Sequence, residues 1–132
     1  MKTWSATQKS VTLNSGEAEL VAAVKMSCEL IGICQMAHDW GWEMKARVWV
    51  DSAAALGVIN RKGNGKLRHV RVGMLWIQEM VEEGELKVDK VKGEENPADL
   101  MTKYLTKGVS DAHLVRLRQE VVQGRAEMSL KI

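Results

Sequence analysis

Three carboxylates stand where a side chain can do more than solubilise: Glu19, Asp51 and Asp99. Oxygen donors of this kind suit a hard divalent cation, Mg2+ or Mn2+, over zinc. The chemistry they could support is metal-assisted hydrolysis, in which the ion activates a water. Zinc is disfavoured further because His38, His69 and His113 are scattered and lack cysteine company at ligand spacing. The Gly63-Asn64-Gly65-Lys66 segment lacks the spacing of a phosphate loop and does not follow a strand. No Ser-His-Asp arrangement follows from residue order.

Asp51 is the most informative of the three. It directly follows Val48-Trp49-Val50, an apolar run that draws the backbone inward. An acid there must be paired, capped or metal-bound. Each carboxylate also has a purely structural explanation of at least equal weight when taken singly. Asp51 could cap the next helix, Asp99 could favour a helix dipole, and Glu19 could be an exposed helical residue.

The elements that must position these acids are legible in outline. Thr3 to Thr7 and Ser10 to Leu13 read as short strand pieces. Asn14 or Ser15 then caps a helix, with Glu17 at the capping-box position. Leu20, Ala23, Val24, Ser27, Cys28, Ile31 and Cys34 recur at three- and four-residue spacing, so they predict one buried face reaching to about Trp40. Gly41 stops that helix. Arg47 to Val50 predicts a buried strand, and Ser52 a cap for a helix from Ala53 to Asn60. A basic loop, Arg61 to Lys66, leads to a helix from about Arg68 to Glu83, ended by Gly84. Leu86 to Val91 alternates apolar and polar residues and predicts a strand with one wet face. Pro97 opens a short helix from Ala98 to Lys103. A last helix is expected from Val109 to Gln123. Strands separated by helices predict an α/β fold with parallel pairing between the later strands. Active residues of such sheets gather at strand carboxyl ends.

At 132 residues, with 45% hydrophobic and 27% charged side chains, the chain suits one globular domain. No signal peptide is visible, and no apolar run is expected to reach membrane-helix length. No membrane partner is therefore expected. Cys28 and Cys34 sit six apart on one expected helix, cannot bridge each other, and are read as buried free thiols. That suits a reducing, intracellular setting, cytoplasmic or nuclear. Between Ser52 and Gln78 there is no acid, while Arg61, Lys62, Lys66, Arg68 and Arg71 all lie there. Such a stretch could contact phosphates or could be a solvated loop.

Several blocks resemble one family. Leu13-Asn14-Ser15-Gly16-Glu17-Ala18-Glu19-Leu20-Val21-Ala22 resembles the LSSTEAEYVA signature of copia-type retrotransposon ribonuclease H. The strand end Val48 to Leu56, the Lys66 to Val72 segment, and Gly84 to Lys103 resemble further blocks of that family, in order. Trp4 to Lys9 resembles its WSSKKQK strand. The resemblance covers roughly Lys2 to Leu105 and implies a ribonuclease H-like domain over 1–105, followed by a C-terminal helical extension over 106–132. It places the family's catalytic, metal-binding carboxylates on Glu19, Asp51 and Asp99. Glu19 is preferred to Glu17 because it directly precedes the Leu-Val-Ala step. By this resemblance Mg2+ or Mn2+ is the cofactor, and the RNA strand of an RNA/DNA hybrid is cut. Lys66, Arg68, His69 and Arg71 become the nucleic-acid contacts. An upstream reverse transcriptase region of a Pol polyprotein is an implied partner.

The sequence also departs from that family. Its members begin with two further strands, the first bearing a fourth catalytic Asp, and no acid precedes Glu17 here. The expected fold is thus a ribonuclease H-like mixed sheet with flanking helices, without its first two strands. Only the Val48 and Leu86 strands would remain neighbours. Unpaired buried backbone groups cost about 1–3 kcal/mol each, against a net stability of about 5–15 kcal/mol. The expectation is a chain that folds poorly or rearranges alone, with weak or absent hydrolysis. The alternative is a non-catalytic nucleic-acid-binding remnant.

Overall fold

The computed structural model describes residues 12, 14–63, 65, 75–119 and 121. The strand expected around Trp4 and most of the Ser10–Leu13 piece lie outside them. The order is helix α1 (Ser15–Asp39), strand β1 (Ala46–Val50), helix α2 (Ala53–Ile59), helix α3 (Trp76–Glu82) and strand β2 (Leu86–Lys90). Two 3-10 turns (Gly93–Glu95 and Pro97–Met101) and helix α4 (Lys107–Arg116) follow. The chain divides into two compact units, whose described residues run up to Gly93 in one and from Glu94 onward in the other.

The first unit is mixed α/β. Helix α1 starts where the sequence says it should. The Asn14 side chain accepts from the Glu17 N–H at 3.0 Å, satisfying a donor that the first turn leaves open. Its far end is a Schellman closure: Gly41 N–H donates to the His38 carbonyl and Trp42 N–H to the Ala37 carbonyl. Gly41 adopts φ +82°, which a glycine reaches without penalty.

Strands β1 and β2 pair in parallel, with Val48 opposite Val88, and form a two-stranded sheet among the described residues. One face of the pair buries Ala46, Val48, Val50, Leu86 and Val88. These side chains meet Leu20 and Ala23 of α1, Ala55, Val58 and Ile59 of α2, and Ile77 of α3 in a single core. Ser27 is buried on the α1 side and satisfies its hydroxyl by donating to the Ala23 carbonyl at 2.8 Å.

Several sequence expectations need correction. The apolar run Val48-Trp49-Val50 is not a strand buried on both faces. Trp49 is 52% exposed, because the strand alternates and Trp49 points away from the helices. The Arg47 guanidinium stacks 4.7 Å from its ring centroid and pairs with Asp89 at 2.6 Å. Cys28 is exposed and Cys34 half-buried, so neither is a buried thiol, although both are free. The 25-residue α1 is long and apolar enough in composition to cross a membrane, contrary to the expectation that no run is. A core helix meets the same measure, and α1 packs on α2 and β1. Of the helix expected from Arg68, the part up to residue 74 lies outside the described residues.

The second unit is built locally. The segment after Pro97 is a 3-10 turn rather than a helix to Lys103. Asn96 caps it by accepting from Ala98 N–H at 3.1 Å. Helix α4 begins two residues before Val109 and ends at Arg116, short of the expected Gln123. Its end repeats the α1 closure, with Arg118 N–H donating to Val115 and Gln119 N–H to Leu114. Here the left-handed position, at φ 53°, is held by Arg118 rather than by a glycine. Arg116 also reaches the Glu95 carbonyl at 2.9 Å.

Candidate functional site

Asp51 follows the last residue of β1 and is half-buried. The cap of α2 is Ser52, whose hydroxyl oxygen accepts from Ala55 N–H at 3.2 Å. Capping therefore falls to Ser52 and does not account for the acid at the strand end. The first turns of α1 and α2 meet closely beside it. A Cβ built on Gly16 would lie 3.0 Å from the Ala54 Cβ, so only glycine allows this approach without a shift. The packing brings the start of α1, with its two acids, against the helix that Asp51 precedes.

Those two acids differ in setting. Glu19 is exposed, whereas Glu17 is only 7% exposed. The sequence pattern contains the signal for this: the i, i+3 row through Leu20 and Ala23 begins at Glu17, so Glu17 lies on the core-facing row. Family resemblance favours Glu19, and helical periodicity favours Glu17 as the buried acid.

Asp99 belongs to the second unit. It sits on the Pro97–Met101 turn, with its side chain 13% exposed and Oδ2 2.9 Å from Lys103 Nζ. Lys103 N–H also donates to the Asp99 carbonyl at 3.1 Å. Among the described residues no group of three or more His, Cys, Asp or Glu side chains is arranged to hold a metal ion. The donor types suit Mg2+ or Mn2+, but the described arrangement does not gather three of them.

Lys66, Arg68, His69 and Arg71 lie outside the described residues. The basic stretch is described at its start, by Arg61 and Lys62. Lys62 pairs with Glu82 of α3. Gln78, also on α3, bonds the backbone here at three points. Its Nε2 donates to the carbonyls of Val58 (2.7 Å) and Gly63 (3.2 Å), and its Oε1 accepts from Gly63 N–H at 2.9 Å. Sequence reading missed Gln78, since a lone glutamine in an amphipathic helix carries no pattern.

Comparison with known sequences finds similarity to a segment of a retrotransposon Pol polyprotein. The relative is the retrovirus-related Pol polyprotein from transposon TNT 1-94 of Nicotiana tabacum, 36% identical over 100 residues. The matched region takes in 74% of this chain and spans 8% of that polyprotein. No family model matches the chain, and no solved structure does.

Proposed function

We propose that this chain is a ribonuclease H-like segment of a retroelement polyprotein, acting on RNA/DNA hybrids. The observation that carries the reading is Asp51, a half-buried acid at the carboxyl end of a parallel strand with the capping role taken by its neighbour. Strand carboxyl ends are where α/β sheets place reacting groups. The similarity to a retrotransposon Pol polyprotein supports the same reading, as do the ordered blocks around Glu19, Asp51 and Asp99.

In this proposal Glu19, Asp51 and Asp99 are the acids that the family resemblance assigns to catalysis, and their oxygen donors are of the type that Mg2+ or Mn2+ takes. Lys66, Arg68, His69 and Arg71 would contact phosphates of the hybrid. Ribonuclease H-like architecture agrees with a mixed α/β unit whose β1 and β2 run parallel.

A second reading is a segment that binds the hybrid without cutting it. It is favoured by the acid-free basic stretch that begins at Arg61 and Lys62, a charge pattern suited to phosphate contact. One assay separates the two. A labelled RNA/DNA hybrid is incubated with the full chain and Mg2+, alongside Asp51→Asn. Cleavage that Asp51→Asn reduces at least about a hundredfold supports hydrolysis, in the range that positioned catalytic groups contribute. Salt-sensitive binding without cleavage selects the second reading. A chain that neither binds nor cuts the hybrid overturns both.

A further inference from the structure

We infer that Gln78 is a positioning residue that presents Lys62 as a phosphate contact for nucleic acid. The inference rests on the proposed hybrid binding and assigns residues that the family resemblance leaves out. After α2 the chain turns at Asn60, Arg61, Lys62 and Gly63. A turn of this kind on a surface has many conformations, and a cation on it gains little from a phosphate if binding must first order the backbone. Here the ordering is already done.

The Gln78 amide clamps Gly63 through both its N–H and its carbonyl, and ties the Val58 carbonyl as well. Gly63 adopts φ +76°, a conformation that only glycine enters freely. Gly65 packs on the Arg61 guanidinium, and a Cβ there would fall 2.6 Å from Nη1. The turn is thus fixed from α3 on one side and by Arg61 on the other. Lys62 projects from it with its side chain 84% exposed. Its described partner is Glu82, also exposed, with 58% of its side chain accessible. An exposed pair of this kind is weak and exchangeable. A phosphate can therefore replace Glu82 at little cost.

The test is hybrid binding by the full chain, followed by anisotropy across a salt series. Lys62→Gln should weaken binding about three- to tenfold and lower the salt slope by about one. Glu82→Gln should tighten binding about threefold. Gln78→Met should weaken binding about as much as Lys62→Gln does. The deciding readout is the double variant: Gln78→Met should cost no further affinity in the Lys62→Gln background, while its effect on thermal midpoint is the same in both. Gln78→Glu retains the acceptor for Gly63 N–H and should give an intermediate affinity, which serves if Gln78→Met does not fold. Equal losses from Gln78→Met in both backgrounds, or none in either, overturn the inference while leaving hybrid binding intact. If the unaltered chain does not bind the hybrid at all, the proposed function falls and this inference with it.

Discussion

Asp51 follows a strand whose Val48 and Val50 are buried in a core drawn from α1, α2, α3 and both strands. Asp99 rides on a 3-10 turn fixed by its own neighbours: the Asn96 cap, the Lys103 ion pair and the Lys103 N–H. In the first unit many apolar side chains are buried. In the second, His113 alone is buried among residues whose side chains are described. The contrast shows two ways of placing an acid. One depends on packing between segments far apart in sequence, the other on bonds made within about five residues.

The largest test of that contrast is Leu20→Ala. Leu20 is 1% exposed at the centre of the first core, and its truncation should cost about 3 kcal/mol. Urea unfolding followed by tryptophan fluorescence would read it, and a loss below about 1 kcal/mol would show that packing does not hold the first unit. A smaller effect of opposite sign is expected at the end of α4. Arg118 occupies the left-handed position that Gly41 takes at the end of α1, and L-residues pay about 1 kcal/mol there. Arg118→Gly should raise stability by about that amount, since the closing hydrogen bonds stay the same. A lower thermal midpoint for this variant would contradict the account. The smallest effect belongs to Lys103→Ala. Lys103 is 58% exposed, so solvent screening limits the pair with Asp99 to less than about 0.5 kcal/mol. A loss above 1 kcal/mol would mean that Asp99 is held more firmly than an i,i+4 contact allows.

Local signals made much of the first unit legible. Asn14, Ser52 and Gly41 each act within a few residues, and each stands at the boundary the sequence marks. The parallel pairing of β1 with β2 followed from strand–helix alternation, a rule about connections rather than contacts. The errors arose where neighbours distant in sequence decide. Trp49 looks buried in a run of apolar residues, yet which face of β1 the helices cover is a tertiary matter. Cys28 lies at core spacing but just off the edge of the buried row. The early end of α4 was hidden because Arg118 carries none of the backbone freedom that marks Gly41. Of the candidate site, the place of Asp51 at a strand end was legible from the apolar run before it. The contrast between Glu17 and Glu19 was not resolved by motif alone, and Gln78 acts through backbone bonds that leave no trace in composition.

The register that sets Ala46 opposite Leu86 joins strands forty positions apart. Closing a loop of that length costs chain entropy before any pairing rewards it, on the order of 3 kcal/mol by the logarithmic rule. Helices α1 and α2 meet no such delay, so the sheet is expected to be the slow step of acquiring structure. In a stopped-flow experiment helical ellipticity should rise before native tryptophan emission, and simultaneous rises would rule that order out. A nascent chain would therefore complete the backbone beneath Asp51 only after β2 has been synthesised.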